Sequence, residues 1–100
     1  MITLEPIVIE GKTFNATTVA LPKTTLLVVS NDKGYIMCGA LDVGLLNDKL
    51  KDRNILAGRA TGVKTIDQLL EASLESVTLY AEQKGIVAGM KGKDALLKMV

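Results

Sequence analysis

The stretch T-L-L-V-V-S-N-D-K-G-Y-I-M-C, Thr25 to Cys38, decides the reading of the fold. Its ends, Thr25 to Val29 and Tyr35 to Cys38, are β-branched and aliphatic runs, and Ser30 to Gly34 between them is a polar turn closed by glycine. The chain therefore returns on itself as two successive strands. Neither L-L-V-V nor Y-I-M-C alternates apolar with polar, so both strands call for cover on both faces, from helices or from another subunit.

Upstream, Thr3 to Ile9 is rich in Ile, Leu and Val, and Glu10-Gly11-Lys12 supplies a turn before Thr13 to Leu21, which Pro22 closes. This pattern predicts a hairpin. Downstream, Asp42 is placed to cap a helix running to about Asp52, because its carboxylate can accept from free first-turn amides, and Leu46 and Leu50 share one face. Ile55 to Ala57 reads as a short strand and Gly58 to Lys64 as a loop. Thr65, followed three residues later by Gln68, forms a capping-box pattern ahead of the apolar stripe Ile66, Leu69 and Leu70.

Beyond Ala72 two readings stay open. Leu74, Val77, Tyr80 and Ala81 continue the helical period as far as Gly85, which would make one long helix. Against it, Ser73, Ser76, Val77 and Thr78 are weak helix formers, and Thr78 can cap a separate short helix. Gly85, Gly89 and Gly92 then mark a flexible connection, and Asp94 to Met99 reads as a terminal helix with Ala95, Leu96 and Met99 facing inward.

Composition narrows the function. The 100 residues include no histidine, which excludes Ser-His-Asp triads, Cys-His dyads and His-ligated metal, and nothing in the residues points to a metal or a cofactor. Length and 48% apolar content fit one domain over residues 1–100. Phe14, Tyr35 and Tyr80 are the only aromatics, so the core is aliphatic and stacking platforms for bases are absent. The net charge of +1, with lysines and acids interspersed, makes nucleic acid a poor partner. No signal-like start and no apolar run long enough to span a bilayer are present, so a cytoplasmic protein without membrane contact is expected. The single cysteine agrees with a reducing compartment.

Read together, L-P-K at Leu21 to Lys23, G-Y-I-M-C-G-A-L-D at Gly34 to Asp42, G-V-K-T-I-D-Q-L-L at Gly62 to Leu70 and G-M-K-G-K-D-A-L at Gly89 to Leu96 resemble the YunC-like family, a domain of unknown function in bacteria and archaea. The resemblance spans essentially the whole chain. It implies an α+β fold, a two-layer α/β sandwich with a mainly antiparallel N-terminal sheet and helices packed on it. It also favours a break near Ser73, with a short strand through Val77, and it implies no activity.

Candidate site residues follow from chemistry. Cys38 reads either as a small buried hydrophobe or as a thiolate at a strand end, beside Gly39, which lets a ligand approach closely. Asp42 reads as a helix cap or as a general base near that thiol. Lys23 and Lys64 sit in loops where cations can bind an anion, and Lys64 with Thr65 would make an anion site if Arg59 converged there. Gly92-Lys93 is not a phosphate-binding loop, because Val87 stands where the pattern needs glycine and Asp94 where it needs Ser or Thr. Gly39 and Gly44 do not complete a dinucleotide fingerprint.

Two function classes remain: a small-molecule-binding protein, with thiol chemistry included, whose pocket lies near Cys38, and a non-catalytic oligomeric domain. A positive mean hydropathy in so small a chain, with strands apolar on both sides, predicts a homo-oligomer.

Overall fold

In the computed structural model, which describes residues 1–39, 43–48 and 53–100, the Thr25 to Cys38 stretch lies at the centre of a six-stranded sheet. The strands β1 (Ile2–Ile9), β2 (Lys12–Leu21), β3 (Thr24–Ser30) and β4 (Gly34–Met37) form an antiparallel meander in chain order. Glu10 and Gly11, both at positive φ (52° and 79°), make the tight turn between β1 and β2, a geometry that matches the twist of the paired strands. Asn31 shapes the β3–β4 turn, its Oδ1 accepting from the amides of Lys33 (2.9 Å) and Gly34 (3.0 Å).

After β4 the chain passes through α1 (Val43–Asp48) and returns as β5 (Leu56–Arg59), parallel to β4. Parallel neighbours cannot be joined by a tight turn, and α1 belongs to the crossover that joins these two. Then follow α2 (Ile66–Glu71), β6 (Ser76–Val77) antiparallel to β5, α3 (Leu79–Gln83) and α4 (Gly92–Leu97). The fold is α+β, as the sequence predicts.

The two sides of the sheet differ. On one, Phe14, Leu27, Val29 and Ile36 are buried together with Leu69 of α2, Ile86, and Leu96 of α4 with Met99 beside it. On the other, Val43 and Leu46 of α1 pack on Ala57, with Tyr35 and Met37 alongside, which covers only the β4–β5 end. Over β1 to β3 no helix among the described residues packs on this second face: Ile2, Leu4 and Val8 of β1 remain 71%, 67% and 68% exposed, and Thr17, Val19, Leu26 and Val28 of β2 and β3 are half-buried.

The long-helix alternative is overturned at Ala72. That residue leaves α2 in extended conformation (φ −73°, ψ 146°), after which Ser73 bridges to Lys91 and the Leu74 amide donates to the Met90 carbonyl (2.8 Å). The strand through Val77 and the cap at Thr78 are both present. Two boundaries shift for reasons of packing. Gly58 belongs to β5 rather than to a loop, because a Cβ there would lie 2.7 Å from Leu74 Cδ1 and only glycine lets Leu74 sit against the strand. The last helix begins at Gly92 instead of Asp94, its amide donating to the Ala72 carbonyl (2.9 Å) where a Cβ would collide with the Leu69 carbonyl. The expected cap Asp42 and the helix continuation through Leu50 to Asp52 fall outside the described residues.

Thr78 holds the second half of the fold to the sheet. Its buried hydroxyl donates to the Ile55 carbonyl (2.6 Å) and accepts from the amides of Ala57 (3.3 Å) and Ala81 (3.2 Å), while its own amide donates to the Ala57 carbonyl (3.0 Å). Thr65 caps α2 in the ordinary exposed way, accepting from the Gln68 amide at 3.1 Å. Thr78→Val, which keeps the shape and removes the hydroxyl, is therefore expected to cost about 2–4 kcal/mol, against about 1 kcal/mol for Thr65→Ala. Urea denaturation with unchanged m-values measures both, and equal losses would count against the buried hydroxyl's special weight.

Candidate functional site

Leu21 pairs with Thr24, so Pro22 and Lys23 are the two central residues of the β2–β3 turn. Proline presets the first position, and the second then has positive φ, a place usually taken by glycine or asparagine. Here Lys23 occupies it at φ 64°. A bulky residue in the left-handed region costs free energy, a cost that Glu10 (52°) carries in the β1–β2 turn as well, and such residues are enriched where function constrains the backbone.

Facing this turn is the loop after β5. Lys23, Thr24 and Thr25 on one side and Val63 and Lys64 on the other line a cleft of about 370 Å³, with no carboxylate among these residues. Cys38 lies behind the Thr25 wall. Its thiol is 3.9 Å from the Thr25 carbonyl and accepts from the Leu27 amide at 3.5 Å, and the Cys38 amide donates to the Leu27 carbonyl at 3.1 Å. The residue is 6% exposed and belongs to the main core. This is the environment of a small apolar side chain.

Gly39 and Arg59 are engaged with each other. The Arg59 guanidinium donates to the Gly39 carbonyl from Nε (3.3 Å) and Nη2 (3.0 Å), and its Nη1 pairs with Glu75 Oε1 (3.0 Å). The Ser76 hydroxyl donates to the same carboxylate oxygen (2.6 Å). That hydrogen bond, followed by those from Arg59, holds the Glu75 carboxyl below its ordinary pKa. Arg59 thus pins the exit of β4 and does not converge on Lys64 and Thr65, which the anion site drawn from sequence requires. Charge-assisted, forked donation of this kind is a positioning use of arginine.

Thr65 is likewise separated from Lys23. Its hydroxyl is spent on the Gln68 amide, Gln68 Oε1 accepts from the Lys64 amide (2.8 Å), and Thr65 lines a different cleft between β1 and α2 with Glu5 and Asp67. Asp42 lies outside the described residues. Of the candidates, the structure brings together Lys23 with Lys64, and Gly39 with Arg59.

Sequence reading missed two features. The threonines Thr24 and Thr25 join the lysines of the cleft, although in sequence they are only the polar start of a strand. A second cavity of about 410 Å³ is lined by Lys33, Lys84 and Lys98 with Tyr80. The Lys84 ammonium lies 5.2 Å from the Tyr80 ring centroid, a cation–π contact that engages one of these cations within the fold. These three lysines come from the β3–β4 turn, the end of α3 and the end of α4, so no local motif announces them.

Similarity to known proteins covers the whole chain. A family described as a domain of unknown function, DUF1805, matches residues 37–99. The uncharacterized protein YunC of Bacillus subtilis is 66% identical over 100 residues, which is 100% of this chain and 99% of the relative. The crystal structure of a protein of unknown function, TA1206 from Thermoplasma acidophilum, superposes with a TM-score of 0.89 at 30% identity, covering 100% of this chain and 94% of the other.

The burial of Cys38 yields a direct test. The native thiol is expected to resist a small alkylating reagent at pH 8 and to react fully after denaturation, and Cys38→Ser is expected to destabilise by about 1–3 kcal/mol by placing a hydroxyl where sulfur packs. Rapid native alkylation below pH 8 would instead mark a working thiolate.

Proposed function

The chain belongs to the DUF1805 family of unknown function, and from that premise we propose that it binds a small anionic molecule in the cleft between the β2–β3 turn and the Lys64 loop. The observation that carries this reading is Lys23 itself. A two-residue turn that needs positive φ holds a lysine instead of glycine, and that lysine lines one cleft with Lys64. The strain is retained where it places a cation.

Two ammonium groups supply attraction, and the polar groups of Thr24 and Thr25 that line the cleft supply directional hydrogen bonds to carboxylate or phosphate oxygens. The opening is of the size small molecules occupy, about 300–1,000 Å³. Cys38 takes part as the packed support of the Thr25 wall, fixing the backbone against which the ligand rests. In this role the protein is a binding module, and its cysteine needs no activating base. A cytoplasmic setting goes with the reading, since a lone cysteine has no internal disulfide partner and reducing compartments keep thiols free. Among the described residues, no helix is long and apolar enough to cross a membrane.

Titration with inorganic phosphate and with citrate, followed by amide NMR shifts, is expected to move Thr25 and Lys64 saturably. Lys23→Gly separates binding from folding: it should raise stability by about 0.5–1 kcal/mol by relieving the left-handed lysine, while weakening the anion's hold at least about tenfold. If neither anion moves those amides, or if Lys23→Gly binds as the natural chain does, the cleft is not an anion site.

A further inference from the structure

We propose that the uncovered face of β1, β2 and β3 is a homodimer interface, packed face to face on the same face of a second copy. The strand register assembles it. Ile2 stands opposite Val19, Leu4 opposite Thr17 and Val8 opposite Thr13, and β3 continues the surface with Val28 beside Thr17, while Leu26, beside Val19, is half-buried and also touches the main core. The neighbouring residues of β1, Thr3, Glu5, Ile7 and Ile9, point to the helix-covered side, where Ile7 and Ile9 pack on the core.

Charge selects the occupant. Positions 2, 4, 6 and 8 of β1, 13, 15, 17, 19 and 21 of β2, and 24, 26, 28 and 30 of β3 hold no Asp, Glu, Lys or Arg. A partner recognised through charge, such as an acidic peptide or a phosphate backbone, finds nothing there to pair with. A second copy brings an equally uncharged surface, so a twofold contact contains no like-charge pair at its centre, and each residue's partner is fixed by symmetry.

Area points the same way. Three strands about 4.8 Å apart, rising about 3.3 Å per residue, project a footprint on the order of 400 Å², and their standing side chains carry more accessible surface than that. Two such faces bury more than the typical lattice contact of under about 800 Å² in total and approach the roughly 1,200 Å² at which specific interfaces begin. Sheets pack in this manner about 10 Å apart with interdigitated side chains. The threonines between the aliphatic residues leave room for the opposing chain's Ile, Leu and Val.

Sedimentation equilibrium of the full chain at tens of micromolar is expected to give about twice the chain mass of 10.7 kDa. Leu4→Lys and Val19→Lys, each placing a cation on the face, should raise the dissociation constant at least about tenfold, whereas Glu82→Lys on exposed α3 should leave it unchanged. Val19 lies on β2, inside the free edge of β1, so its substitution also separates face packing from edge-to-edge strand pairing. Should a variant fail to fold, dilution of the unmodified chain serves instead: methyl resonances of Ile2, Leu4 and Val8 should shift while those of Leu69 and Leu96 stay fixed. A single-copy mass across this range would overturn the proposal and leave the face to a different protein. Association that survives Val19→Lys, or that Glu82→Lys abolishes equally, would overturn it as well.

Discussion

The second half of this fold hangs on the hydroxyl of Thr78. A buried hydroxyl is costly unless its donor and acceptor capacities are met, and here they are met by three different pieces of backbone: the Ile55 carbonyl and the amides of Ala57 and Ala81. One atom thus ends β6, caps α3 and closes the approach to β5. Because β5 is the strand that pairs parallel with β4, the register of the crossover and the seat of the following helices share that anchor. The helices it helps to seat are only five or six residues long, too short to be stable by themselves, so their stability comes from packing on the sheet.

That dependence explains why the sheet is clothed unevenly. Each short helix covers a small patch, and α2, α3 and α4 together bury the middle of one face, leaving Thr3, Glu5 and Ala20 exposed at its β1–β2 margin. Among the described residues the other face receives only α1, at the β4–β5 end. The hairpins of β1 to β3 were built from Thr, Ile, Leu and Val, which pack well on either side of a pleated surface, and nothing in their backbone pairing distinguishes the side that meets helices from the side that does not. What distinguishes them is the neighbourhood each face finds in three dimensions.

Legibility in the sequence follows the same division. The meander, its turns at Glu10-Gly11 and Asn31 to Gly34, and the caps at Thr65 and Thr78 were readable because each rests on residues adjacent in the chain. Boundaries at Gly58 and Gly92 were misread, since glycine is a loop signal locally but a close-packing residue when Leu74 or the Leu69 carbonyl lies against it. The candidate site divided likewise. Lys23 and Lys64 were singled out as loop cations, and the structure places them on one cleft. The anion site at Lys64 and Thr65 depends on Arg59 converging there, and Arg59 instead follows the strand and reaches across to Gly39 and Glu75. The partners of a long flexible side chain are decided by strand pairing, which a pattern of residue types does not display.

The cleft and the uncharged face meet at the β2–β3 turn. Thr24 belongs to both, standing opposite Leu21 at the end of the bare face and lining the cleft beside Lys23. Glu5 and Lys12 within the strands alternate to the opposite side, and Glu10, Lys23, Asp32 and Lys33 lie in exposed turns at the two ends of the strands. An uncharged centre with charge kept to a hydrated margin is the arrangement of an interface core and its rim, where ions stay in water and desolvation falls on apolar groups. Lys23 sits where the two meet: as the second central residue of the turn it lies outside the paired strands and lines the cleft with Lys64, so its charge stands beyond the end of the surface that a second copy is proposed to cover.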